Sequence, residues 1–121
     1  MALRVLIVED DTDLRRLYRT ALRSAGFEAQ EAGDGVAALR WISQQPPNLV
    51  VLDLMLPTLS GHAVQQEIAA HAHTRDIPIV IVTGSSEPAQ AACVLRKPVT
   101  PERLVDAVRS CLATGVPPST S

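Results

Sequence analysis

Residues 48–57, NLVVLDLMLP, form an almost unbroken apolar run that carries one carboxylate, Asp53. An unpaired buried carboxylate is costly enough that it shifts its pKa, finds partners or holds a metal. Four other polar groups occupy comparable places. Glu9 and Asp10 follow the apolar run LRVLIV, Thr83 closes IPIVIVT, and Lys97 follows CVLR. If one fold gathers these strand ends, three carboxylates about 5 Å apart repel by about 3 kcal/mol per pair at an effective dielectric near 20, so the cluster needs a cation. Oxygen donors with room for water favour Mg²⁺, whereas zinc would want His or Cys. Taken singly, each residue has a plainer reading. Asp53 could cap a turn, Lys97 could be a surface lysine and Thr83 a strand residue. The Glu9–Asp10–Asp11 run could simply cap a helix, a role that suits Asp11.

The elements that would have to bring these groups together are legible from periodicity. LRVLIV is a β-rich run, and Leu14, Leu17, Tyr18, Ala21, Leu22 and Ala25 then recur at helical spacing up to Gly26. FEAQEA alternates as a half-exposed edge strand does. DGVAALRWISQQ returns to the helical period before Pro46 and Pro47 stop it. NLVVLDL reads as a strand and GHAVQQEIAAH as a helix, followed by the strand IPIVIVTG and a short strand, CVLR. TPERLVDAVRSCL is a last helix with Thr100 as N-cap and Pro101 in its first turn. Repeating strand–helix units with apolar central strands predict an α/β domain, a parallel sheet covered by helices on both faces. In such sheets ligands sit at the carboxyl ends of the strands, where all five polar groups lie.

This layout resembles the receiver domain of two-component response regulators over nearly the whole chain. The resemblance rests on VEDD after the first strand, LDLMLP around Asp53, VTG after the fourth strand and KP before the last helix. It implies a doubly wound, flavodoxin-like sheet of five parallel strands in the order 2-1-3-4-5. Asp53 would be the phosphoacceptor, served by a histidine kinase or phosphotransfer protein. Glu9, Asp10, Asp53 and the backbone carbonyl of Met55 would hold Mg²⁺, and Thr83 and Lys97 would bind the phosphoryl oxygens. Gly84 would leave space for the phosphoryl group, and the Lys97–Pro98 peptide would be cis. Such a chain is not an enzyme beyond catalysing its own phosphorylation and dephosphorylation. Two other functions compete. A small Mg²⁺-dependent phosphohydrolase with an Asp nucleophile would want a second acid two residues on, where Met55 stands. A scaffold that keeps the fold without the phosphorylation would be expected to lose Asp53, Thr83 or Lys97, and all three are present.

The pattern departs from the family between the fourth and fifth strands. Only nine residues, GSSEPAQAA, separate Thr83 from Cys93, and a crossover with a full helix takes about 10 to 12 or more. The fourth helix is therefore expected to be shortened or missing. Val94 occupies the place where receivers carry an aromatic switch residue. Phosphorylation is then expected to act on the loop 84–92 directly, and dimerisation through the usual output face is in doubt.

The remaining features carry less. His62, His71 and His73 do not share a helix face that would hold a metal. Arg15, Arg16, Arg19 and Arg23 stripe the first helix as a solvated face, or as a contact for the phosphodonor. Trp41 reads as a packing residue, and Gly33–Asp34–Gly35 lacks the rest of a dinucleotide fingerprint. Cys93 and Cys111 lack CxxC or metal-ligand spacing and sit among apolar neighbours, the setting of buried thiols.

Length and composition bound all of this. At 121 residues one core is expected, a receiver over 1–113 with a tail or linker at 114–121. No output domain follows residue 113, so the expectation is a stand-alone receiver or a piece of a longer protein. The net charge of -2 gives no general attraction to nucleic acid or anionic membrane, and no direct nucleic-acid binding is expected. No apolar run approaches the ~20 residues of a membrane span, and the N-terminus turns acidic too early for a signal peptide. A cytoplasmic location is expected, with the downstream target and oligomeric state left open.

Overall fold

A computed structural model describes residues 2–114. Five parallel strands, β1 (Arg4–Val8), β2 (Glu28–Ala32), β3 (Leu49–Leu52), β4 (Ile79–Thr83) and β5 (Cys93–Arg96), form one sheet in the order β2-β1-β3-β4-β5. Four helices complete the described residues: α1 (Thr12–Ser24), α2 (Gly35–Gln44), α3 (Gly61–Ala70) and α4 (Pro101–Thr114). The α/β reading and the strand order hold, and the Lys97–Pro98 peptide is cis.

The period of two along each central strand builds two cores. Val5, Ile7, Val51, Val80 and Val82 point to one face and pack with Tyr18, Leu22, Leu104 and Val108 of α1 and α4. Leu6, Val8, Val50, Leu52 and Ile81 point to the other and pack with Ala38, Ile42, Val64 and Ile68 of α2 and α3. Each fully buried aliphatic side chain contributes about 2 kcal/mol, so a slip of one residue in register would exchange the two cores. The alternating segment 27–32 lies at the sheet edge, as its mixed burial requires.

All four helices start on a side-chain cap. Asp11 accepts from the Leu14 N–H at 3.0 Å, Asp34 from Ala37 at 2.8 Å, Ser60 from Ala63 at 3.2 Å and Thr100 from Arg103 at 3.1 Å. Each cap contributes about 1 kcal/mol and fixes where the chain leaves the strand end.

No helix forms between β4 and β5. Two side chains hold the nine-residue connection in its place. Arg96 donates to the carbonyls of Ser85 and Glu87, and Gln65 of α3 donates to the carbonyl of Gln90. Ala89 and Ala91 pack against the core beneath, beside Val94. Val94 is half-buried and paired with Ile81, so it serves as packing at the position where the resemblance implies an aromatic residue. The last helix runs to Thr114, one residue past the expected boundary, and the rest of the expected tail lies outside the described residues.

Candidate functional site

Register decides what meets at the carboxyl edge. Val8 pairs with Leu52, so Glu9 and Asp53 leave adjacent strands together, tied by the Asp53 N–H donating to the Val8 carbonyl at 3.0 Å. Thr83 pairs with Arg96, and the Lys97 N–H donates to the Thr83 carbonyl at 2.9 Å, which returns Lys97 to the same edge. The Lys97 ammonium then donates to Glu9 Oε1 at 2.7 Å and to Asp53 Oδ2 at 3.0 Å. Carboxylate oxygens of Glu9, Asp10 and Asp53 lie within 4.8 Å of one another.

Glu9 and Asp53 are only 3% and 5% exposed, and each has its second oxygen satisfied as well. Glu9 Oε2 accepts from the Asp11 N–H at 3.2 Å, and Asp53 Oδ1 accepts from the Met55 N–H at 3.0 Å. Asp10 is exposed, Met55 presents its side chain to solvent, and Thr83 is fully buried with its hydroxyl oxygen accepting from the Ser85 N–H at 3.2 Å. A Cβ on Gly84 would meet no protein atom within 4 Å, so the fold itself does not demand glycine there.

Burial pushes the Glu9 carboxyl above its ordinary range, and the Asp53 charge adds to the shift, despite the opposing bonds from Lys97 and the Asp11 N–H. Burial also works against the Lys97 ammonium, but its bonds to Glu9 and Asp53 outweigh that and hold its pKa above the usual lysine value. A carboxyl whose folded pKa is raised stabilises the fold below the unfolded value, 4.5, and loses that contribution as pH rises through the folded one. In chelator, the stability of the native chain relative to Glu9→Gln is therefore expected to decline as pH rises from about 4.5 through the raised folded value. Urea midpoints across that range would show it, and a difference that stays constant or grows would contradict the assignment.

Lys97 thus answers part of the need for a cation that the clustered acids create. Three ionised carboxylates against one ammonium leave two negative charges, the complement of a divalent ion, and the exposed Asp10 lets such an ion approach from solvent. The donor set is all oxygen, which fits Mg²⁺ and not zinc.

Several contributors escaped the sequence reading. Gly61 opens α3 directly beneath Asp53: a Cβ there would lie 2.3 Å from the Asp53 carbonyl oxygen and 2.5 Å from the Leu54 Cα. A glycine at the first helical position, where propensity disfavours it, was the available signal. Gly61→Ala is expected to lower stability by about 2 kcal/mol by overpacking and to displace Asp53; an unchanged urea midpoint would refute the contact. Thr58, in the β3–α3 loop, holds φ at 65°, rare for a β-branched residue, and nothing in its local sequence announces it. The basic stripe on α1 is mostly spent within the molecule. Arg15 and Arg19 pair with Glu31, Arg23 donates to the Ala29 carbonyl at 3.1 Å, and Arg16 is left exposed. His71 faces Glu67 at 3.3 Å, and no histidine joins a cluster that could hold a metal among the described residues.

Comparison with known proteins shows the family. Residues 5–109 match the response regulator receiver domain, and the chain belongs to that family. It is 34% identical to the DNA-binding response regulator MtrA of Mycolicibacterium paratuberculosis, over 93% of this chain and 52% of that protein. Among solved structures, the receiver domain of a LuxO repressor protein from Vibrio parahaemolyticus superposes with a TM-score of 0.86 at 30% identity, covering 95% of this chain and 93% of that one. The receiver domain of the sensor histidine kinase PA1611 from Pseudomonas aeruginosa does so at 0.86 and 25% identity, over 93% of this chain and 99% of that one, and holds a magnesium ion in its active-site cleft.

The chain spans about half the length of the curated relatives it matches. The expectation of no direct nucleic-acid binding is corrected here, because those relatives are described as transcriptional regulators and a DNA-binding response regulator. The net charge of -2 is that of this chain, whereas those relatives are about twice as long. Among the described residues no helix is long and apolar enough to cross a membrane.

Proposed function

We propose that Asp53 accepts a phosphoryl group from the phosphohistidine of a histidine kinase or phosphotransfer protein, with Mg²⁺ as cofactor, and that the resulting acyl phosphate alters the loop 84–92. The observation that carries this reading is the buried Asp53 carboxylate bonded to the Lys97 ammonium at 3.0 Å, within reach of two further acids. Glu9, Asp10, Asp53 and the Met55 carbonyl would hold the ion. Bound there, Mg²⁺ would withdraw charge from the phosphoryl oxygens and align them.

The chain's own residues do the rest. The Met55 N–H and Lys97 hold the Asp53 carboxylate fixed while one of its oxygens attacks phosphorus and the phosphorus–nitrogen bond of the donor breaks. Lys97 neutralises one phosphoryl oxygen. Thr83 rotates its hydroxyl to donate to another, with Gly84 leaving room beside it. Its oxygen then turns from the Ser85 N–H, and Ser85 belongs to the loop that Arg96 clasps. This links the chemistry to the segment that replaces the fourth helix. The only catalysis in this reading is the chain's own phosphorylation and dephosphorylation. The phosphohydrolase alternative fails on Met55, whose apolar side chain stands where a second acid would have to act.

Treatment with a small phosphodonor and Mg²⁺, followed by intact mass and amide hydrogen exchange, tests both parts. One added phosphoryl group is expected, with exchange in 84–92 changed several-fold relative to the rest of the sheet edge. Phosphorylation without any change in that loop would sink the switch and leave the acceptor.

A further inference from the structure

The acid that completes the proposed ion site, Asp10, is exposed, and its carboxylate makes no hydrogen bond or ion pair among the described residues. Its position is therefore set by its backbone. That backbone is anchored on the Glu9 side by two bonds: the Glu9 N–H donates to the Ala32 carbonyl at 3.1 Å, and the Glu9 carbonyl accepts from Arg15 Nη1 at 2.8 Å.

Arg15 is itself held. Its Nε donates to Glu31 Oε1 at 2.8 Å, and the two side chains are only 16% and 17% exposed. Glu31 lies on the edge strand β2, paired in register with Ile7. Just beyond it Gly33 leaves room for the guanidinium, since a Cβ at that position would stand 3.3 Å from Arg15 Nη1. One planar group thus ties an edge strand, the first helix and the peptide before Asp10 into a single corner. A lysine, with a point charge and no fork, could not reach both partners in this geometry.

We infer that Arg15, braced by Glu31, is a positioning residue for Mg²⁺ binding, fixing the Glu9–Asp10 peptide so that the exposed Asp10 carboxylate faces Glu9 and Asp53 before the ion arrives. Outer residues that orient metal ligands are typically worth 10- to 100-fold in affinity. The inference rests on the Mg²⁺ site proposed above.

The test is a titration of the 121-residue chain with MgCl₂ alone, read by amide NMR shifts, beside Arg15→Met, Arg15→Lys and Glu31→Gln. Arg15→Met is expected to raise the Mg²⁺ dissociation constant about tenfold, and Arg15→Lys and Glu31→Gln about threefold. In phosphodonor assays the half-saturating Mg²⁺ concentration should move by more than the plateau rate does. A clasp that merely joins α1 to β2 would lower the melting temperature and leave the dissociation constant alone. If Arg15→Met does not fold, Arg15→Lys decides. Folded variants that bind Mg²⁺ within about twofold of the native chain overturn the inference while leaving the site intact. A native chain with no saturable response to Mg²⁺ overturns the site, and the inference with it.

Discussion

Asp53→Asn is expected to take up no phosphoryl group under conditions that label the native chain stoichiometrically, a loss of at least about a thousandfold in rate. The amide is nearly isosteric with the carboxylate, so the Met55 N–H can still donate to its oxygen and the fold should persist. What disappears is the anionic nucleophile, and with it the charge that Lys97 neutralises at 3.0 Å. Because Glu9 still accepts from Lys97 at 2.7 Å, the ammonium keeps one partner and the stability change should be modest. Intact mass before and after donor treatment reads the result directly. The native adduct should also be lost on brief alkaline treatment, as a mixed anhydride is and a phosphoserine or phosphothreonine is not. A variant labelled to the native extent would move the chemistry to another residue and overturn the assignment of Asp53.

Lys97→Met should have two opposed effects. Without Mg²⁺ it leaves two buried carboxylates facing each other, and their repulsion at this spacing is about 3 kcal/mol at an effective dielectric near 20. Glu9, whose carboxyl burial already pushes upward, relieves part of this by taking a proton. The Lys97 side chain is a quarter exposed, so the expected loss is about 2 kcal/mol, below the 3 to 5 of a fully buried broken pair. Added Mg²⁺ should then stabilise the variant more than the native chain, because the competing cation is gone. The rate of phosphorylation should nonetheless fall by about 100-fold even at saturating Mg²⁺, since the phosphoryl oxygen that faces Lys97 loses its countercharge. Denaturation in chelator and in Mg²⁺, with single-turnover labelling, separates the two effects. A variant as stable as the native chain in chelator would show that the pairing seen at 2.7 and 3.0 Å carries no weight.

The two experiments probe opposite ends of one charge balance, and the sequence exposed that balance unevenly. It placed the acids at strand ends because the apolar period breaks there. It did not show that Lys97 itself bridges Glu9 and Asp53, since those residues are 88 and 44 positions away and only the β4–β5 pairing returns the lysine to them. The clustered acids need a cation, and an ammonium of the chain meets part of that demand. The basic stripe on α1 shows the same limit. Periodicity found one face, but only packing against β2 shows that Arg15 and Arg19 use it to hold Glu31.

By itself, then, the order of residues determined the α/β architecture, the four helices with the Asp11 and Thr100 caps, the shortened or missing helix of the β4–β5 crossover and the identity of the acids at the sheet edge. Each of these follows from local periodicity, cap chemistry or chain length, which are short-range quantities. Tertiary structure alone decided the Lys97 bridge, the Arg15 clasp on the Glu9 carbonyl and the demand that position 61 carry no Cβ. These depend on register between strands far apart in the chain, where a shift of one residue turns a side chain to the opposite face.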